Sequence, residues 1–195
     1  MELEESAVIN EIKTIFESEN ESAIHDAIAY IHENGSIKML PLLFDLLAIT
    51  KSESTKNDIY ECLSDTKEKS ATAIFIEALQ DSRFVNERSH ILSAMWQSNL
   101  DFSKYTKVFI QLLIQENYET ALEAYTIIEV CAGNLPAEEK TTYKEMIEKA
   151  LKNEKSEKAR KSAEARGENT KENYNKNANV MRTHNDTDLN YDYEL

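Results

Sequence analysis

Three observations in this sequence predict an all-α chain, a stack of four to five helical hairpins. The first is an apolar set at spacing i, i+4, i+7, i+8, one stripe of an α-helix, that occurs five times. It reads Val8, Ile12, Ile15, Phe16, then Met39, Leu43, Leu46, Leu47, then Ala71, Phe75, Ala78, Leu79. It returns as Tyr105, Phe109, Leu112, Leu113 and as Tyr143, Ile147, Ala150, Leu151, with offsets of 31, 32, 34 and 38 residues. The second is a further stripe twelve residues after each of the first four, at Ile28, Ile59, Ile91 and Tyr125. Ile31, Cys62, Ala94 and Ile128 follow three positions later. A two-helix unit recurring at this period is the signature of a helical repeat. The third is the scarcity of turn residues, with three Gly and two Pro in 195 residues, too few for the tight turns of an all-β fold.

The first helix of each unit, the A helix, is expected to start near residues 5, 37, 70, 102 and 137. The B helices are expected over 20–34, 54–67, 85–99 and 118–132. Asn34-Gly35-Ser36 offers a glycine stop and a serine N-cap, Ser70 and Asp101 are cap candidates, and Cys131-Ala-Gly133 closes the last B helix. Pro136 with Glu138 and Glu139 suits the first turn of the last A helix. Pro41 removes a backbone donor just past the first turn of a helix begun at Ile37, so a kink or a later start near Leu40 is expected. The segments 39–44 and 108–114 are apolar on more than one face, which places them in the middle of the stack.

The repeats define a domain over 1–151. Beyond Leu151 large apolar residues give way to Ala159, Ala163 and Ala165 among charges, which suggests a fraying helical extension over 152–167. Residues 168–195 have almost nothing to bury and are expected to be disordered. Charge follows the same division. Residues 1–151 carry 13 basic and 27 acidic side chains, so the net charge of −14 belongs to the repeats. The stretch 152–182 is net +4, and 183–195 carries four acids and no Lys or Arg. A negative field of this size repels phosphate backbones and anionic lipid, so neither nucleic acid nor a membrane is an expected partner.

Cys62 and Cys131 lie far apart, each among apolar residues of an expected helix, which suits a reducing compartment better than a disulfide framework. The first residues have no basic stretch followed by an apolar one, and the most apolar run, 39–49, is too short to span a bilayer and contains Asp45. A cytoplasmic protein is the expectation.

The unit from Phe75-Ile-Glu-Ala-Leu-Gln-Asp81 through Val85-Asn-Glu-Arg88 to Met95 resembles the HEAT family of helical repeats. The segments Trp96-Gln-Ser-Asn-Leu-Asp101 and Ala124-Tyr-Thr-Ile-Ile-Glu129 are similar to those of short bacterial HEAT-like proteins. The resemblance covers roughly residues 5–151. It implies antiparallel A and B helices stacked into a right-handed superhelix, and a binding scaffold as the role. It also implies a contact between Asp81 at the end of an A helix and Arg88 in the first turn of the next B helix. The other units depart from that pattern, with Ile49, Gln115 and Asn153 at the aspartate position and Lys56 and Leu122 at the arginine position.

Catalytic motifs are missing from the sequence. Gly35, Gly133 and Gly167 form no dinucleotide fingerprint, P-loop or nucleophile elbow, and there is no C-x-x-C. Glu87-Arg-Ser-His90 is an E-x-x-H, but the second copy that a di-iron bundle needs is missing. His25 and His32 share a helix but stand seven residues apart, about 10 Å along the axis, too far for one ion. Solvated or capping histidines are the expectation, with no metal or other cofactor.

The expected function is therefore non-enzymatic: a scaffold that binds a protein or peptide of basic character on the concave B-helix face. Candidate contacts are Asp58, Glu61, Glu87, Glu123 and Glu129, with Trp96 either an anchor there or packed between units. The rivals are a structural subunit that pairs through the solenoid ends and an acidic DNA-mimic inhibitor. Some HEAT-like proteins are DNA glycosylases or bilin lyases. That chemistry on DNA needs basic residues on the B helices, where the first four offer only Lys56, Lys67 and Arg88.

Overall fold

The computed structural model describes residues 2–18 and 20–153. Among these residues are nine α-helices, three 3₁₀ turns and no strand. No helix among them is long and apolar enough to cross a membrane. The extension expected over 152–167 lies, from residue 154 on, outside the described residues, as does the tail over 168–195. The chain divides into two compact units, at Phe102 and Ser103.

The first unit holds α1 (Glu2–Phe16), α2 (Glu21–Asn34), α3 (Leu40–Ile49), α4 (Glu53–Ser64), α5 (Ala71–Gln80) and α6 (Arg88–Gln97). Consecutive helices pack as pairs, α1 on α2, α3 on α4 and α5 on α6. The A helices α3 and α5 also touch, as do the B helices α2 with α4 and α4 with α6. Leu43, Ile59, Phe75 and Ile91 of the expected stripes are fully buried, and so are Leu63, Leu92 and Met95 outside them. Helix α3 is covered on two sides, burying Leu40, Leu42, Leu43, Phe44, Leu46 and Leu47. At its centre Phe44 meets Phe75 and Phe84 edge-on at 5.8 Å, and Phe75 meets Phe102 at 5.9 Å. Such edge contacts set the negative ring face against a positive edge and add about 1 kcal/mol each beyond area burial.

Helix starts follow the local chemistry. Helix α3 begins at Leu40 after a 3₁₀ turn over Ile37–Met39, which places Pro41 in the first turn, where no helical bond needs its missing N–H. Of the two outcomes expected from Pro41, the later start is the one taken. Helix α6 starts at Arg88 and not near 85, because the Asp81 carboxylate accepts from the Arg83 N–H at 2.8 Å and holds a 3₁₀ turn over Ser82–Phe84. Helix α4 stops at Ser64, three residues early, and Thr66 turns back to the Leu63 carbonyl.

Side-chain N-caps come from Asn20 and Ser52 in this unit. Two expected caps act elsewhere. The Ser70 hydroxyl bonds Glu68 at 3.2 Å, and the Ser36 hydroxyl donates to Glu5, whose other oxygen accepts from Lys38 at 2.8 Å. Those two bonds and the Lys38 charge hold the Glu5 carboxyl below its usual range. Gly35 is required for space, since a Cβ there would lie 2.3 Å from the Ile31 carbonyl oxygen. Asn99, after α6, has φ 58°, a left-handed conformation that asparagine tolerates better than most residues.

The second unit holds α7 (Thr106–Gln115), α8 (Tyr118–Ala132) and α9 (Ala137–Asn153), with α7 packed on both of the others. Helix α7 starts at Thr106 after a 3₁₀ turn over Ser103–Tyr105, so Tyr105 and not Asp101 is its N-cap residue. Asn117 caps α8 through a 3.0 Å bond from the Thr120 N–H. Phe109 and Ile110 of α7 and Ala121, Ala124 and Ile127 of α8 are buried. Helix α9 is different: Tyr143, Met146, Ile147 and Ala150 of its stripe are only half-buried, and no side chain described on α9 is buried.

Candidate functional site

The polar groups of the B helices in the first unit form a ladder in register with the repeat. The His25 Nδ1–H of α2 donates to the Asp58 carboxylate of α4. One helical stretch further on, His32 Nε2 lies 2.9 Å from Asp65, again 33 residues away. The Lys56 ammonium of α4 reaches Glu87, just ahead of α6, at 2.9 Å, 31 residues on, and Lys67, past the end of α4, donates to the Ser98 carbonyl, just past α6, at 3.2 Å, also 31 on. His25 and His32, expected to be solvated or capping, each keep about a third of the side chain exposed and also meet an aspartate one repeat on. A residue and its counterpart about one repeat later lie side by side, and a donor in one repeat meets an acceptor in the next.

Glu87 is the best-connected acid. It accepts from Lys56 and from the Tyr60 hydroxyl, and it sits just ahead of α6, where a carboxylate also meets the helix dipole. Burial works to raise its pKa, but the Tyr60 and Lys56 bonds outweigh it and the carboxyl is held below its usual value. The Glu87 bond outweighs the desolvation of Lys56 and raises its pKa, while burial and then Glu87 raise that of Tyr60. The His90 ring stacks on Tyr60 at 5.0 Å and 11° between planes. Elsewhere burial pushes the Cys62 thiol up to about 12. Every resolved shift among the described residues moves its group away from neutral pH.

A groove of about 440 Å³ opens between α4 and α6 beside this network. Tyr60, Glu61 and Ser64 of α4 line it with Asp65 just beyond, and His90, Ser93, Ala94 and Gln97 line it from α6. The Glu61 side chain is exposed and makes no hydrogen bond or ion pair among the described residues. Asp65 is shared with His32 yet keeps 58% of its side chain exposed. A smaller cavity of about 140 Å³ lies at the ends of α2 and α4, next to Gly35 and Cys62. No group of three or more His, Cys, Asp or Glu that fits a metal occurs among the described residues.

The structure thus brings Glu61 to the groove and sets Glu87 beside it in the Lys56–Tyr60 network. Asp58 is engaged by His25. Trp96 is 38% exposed on α6 but is not among the groove-lining residues. Glu123 is half-buried on α8, and Glu129 accepts from Tyr125 at 2.9 Å; both belong to the second unit. The hydrogen bonds of the Asp81 carboxylate go to Arg83, and the Arg88 Nε–H donates to the Leu79 carbonyl at 3.0 Å. Sequence reasoning missed Tyr60, Lys56 and His90 as groove and network residues. The signal was there, in donor and acceptor residues offset by the repeat length. Comparisons with family models, with curated proteins and with solved structures find no match.

Proposed function

We propose that this chain is a HEAT-like repeat scaffold, a right-handed α-solenoid in the cytoplasm, that binds a basic protein segment in the α4–α6 groove and catalyses no reaction. One observation carries the binding reading. The groove is walled by groups fixed through inter-helix bonds, yet among the described residues nothing pairs with the Glu61 carboxylate, and Asp65 is half-open. A fixed wall with a free charge loses little order on binding, which favours a segment bearing Lys or Arg. The pKa pattern supports a role without catalysis. Proton-transfer sites tune groups toward neutrality, whereas Glu87, Lys56, Tyr60 and Cys62 are all driven the other way.

The test is calorimetric titration of the full chain with a twelve-residue Arg-Ser peptide, in low and high salt, beside an acidic peptide of equal length. Binding of the basic peptide alone is expected, weakened by salt and reduced roughly tenfold by Glu61→Lys. No binding, or equal binding of the two peptides, rules the reading out.

A further inference from the structure

We infer that the α4–α6 groove is an arginine site, which holds a partner's guanidinium against the His90 ring and the Glu61 and Asp65 carboxylates and takes lysine poorly. The inference rests on the groove reading above and names the side chain that the groove selects. Three facts lead to it.

The first is a flat platform. The His90 ring lies on Tyr60 with 5.0 Å between centroids and 11° between planes, and both residues line the groove. The Tyr60 hydroxyl is tied to Glu87, so the ring beneath His90 is held in place, while His90 itself is exposed. A guanidinium is planar and weakly hydrated and stacks on such a ring, whereas an ammonium is a compact, strongly hydrated charge. The second is the spacing of the acids. Glu61 and Asp65 stand four positions apart, one turn along the same wall. Among the described residues nothing pairs with the Glu61 carboxylate, and Asp65 engages His32 through one oxygen only. The N–H groups of a guanidinium point outward in a fixed fork and can serve two carboxylates at once, while those of an ammonium all sit at one point. The third is the opposite wall. Its Gln97 Nε2–H donates to the Ser93 hydroxyl at 3.0 Å, which leaves the amide oxygen as an acceptor for a further N–H. No Lys or Arg is among the described residues that line the groove, so nothing there competes for the acids.

The experiment titrates the full-length chain with the Arg-Ser peptide and with a Lys-Ser peptide of equal length and charge, at about pH 8, above the ordinary histidine range. The natural chain is compared with His90→Ala and with His90→Phe, which keeps a ring at that position. The readout is the ratio of the two affinities, because partial unfolding of a variant weakens both peptides alike. The natural chain is expected to bind Arg-Ser about tenfold more tightly than Lys-Ser. In His90→Ala the preference should fall to about twofold or less, and His90→Phe should restore it. Equal binding of the two peptides by the natural chain, or tighter binding of Lys-Ser, overturns arginine selection and leaves the groove reading standing. A preference that survives intact in His90→Ala overturns the platform, and so does a loss that His90→Phe fails to repair. Binding of neither peptide by the natural chain removes the groove reading together with the inference built on it.

Discussion

The same apolar pattern has opposite fates at α5 and at α9. On α5 the stripe Ala71, Phe75, Ala78 and Leu79 is buried throughout. On α9 the corresponding Tyr143, Ile147 and Ala150 are half-exposed. Both helices form, so the pattern is sufficient for a helix in either place. Burial needs something more, since α5 has both α3 and α6 against it while α9 is packed on α7. Periodicity in a repeat therefore marks which face is to be covered, and only neighbours decide whether it is.

The largest effect should come from the covered side. Phe75→Ala removes a ring that is 0% exposed and joins Phe44 to Phe102. A loss of about 3–5 kcal/mol is expected, a large share of a marginal total. Chemical denaturation followed by far-ultraviolet circular dichroism measures it. A loss below about 1 kcal/mol would mean that the aromatic row is loosely packed, and the contrast with α9 would then disappear.

Gly35→Ala comes next, at roughly 1–3 kcal/mol, the range expected when an inserted group forces backbone to move. The added methyl would lie 2.3 Å from the Ile31 carbonyl oxygen, and that atom belongs to the last turn of α2. Gly133→Ala is the control, since a Cβ there has nothing within 4 Å. Equal melting temperatures for the two variants would show that α2 gives way more easily than its packing implies.

Glu87→Gln tests the ladder that joins covered helices. Its side chain and that of Lys56 are each 17% exposed, so water screens the pair little, and a loss of about 1–2 kcal/mol is expected at neutral pH. The Glu87 pKa is held below its ordinary value of 4.5. The carboxylate therefore stabilises the fold fully above that value, and the contribution is lost as pH falls through the lowered folded pKa. Denaturation at several pH values should show the variant and the natural chain converging in acid. A constant gap down to the lowest pH would mean that the ion pair contributes nothing and that the loss comes from shape alone.

These residues also show what the sequence makes legible. The stripes, their period and the late start forced by Pro41 follow from rules about one helix at a time. Ser36 and Ser70 look like caps by the same rules, yet their hydroxyls bond Glu5 and Glu68. Packing brings Glu5 to Ser36 from 31 residues away, whereas Glu68 is a local acceptor two residues from Ser70. The candidate site was partly legible. Counting acids on the B helices picked out Glu61 and Glu87 but gave them the same role. The structure separates them, because Lys56 and Tyr60 converge on Glu87 and no described group reaches Glu61. Aligning the units and pairing residues 31 to 33 apart would have found His25 with Asp58, His32 with Asp65 and Lys56 with Glu87.

The smallest effect belongs to α9. Ile147→Ala is expected to cost no more than about 1 kcal/mol, because a half-covered side chain gives up only part of its transfer energy and leaves no closed cavity. The substitution also replaces a β-branched residue by the best helix former, which offsets several tenths of that loss on an exposed helix. The same denaturation experiment that reads Phe75→Ala reads this one, and the ratio of the two losses is the quantity of interest. A ratio of three or more keeps α5 and α9 apart as covered and half-covered copies of one pattern. A loss for Ile147→Ala close to that of Phe75→Ala would mean that the α9 stripe is buried in solution by residues beyond Asn153 or by another chain. Repeating the measurement at two protein concentrations separates those two covers, since a loss that grows with concentration assigns the cover to another chain and one that does not assigns it to the same chain.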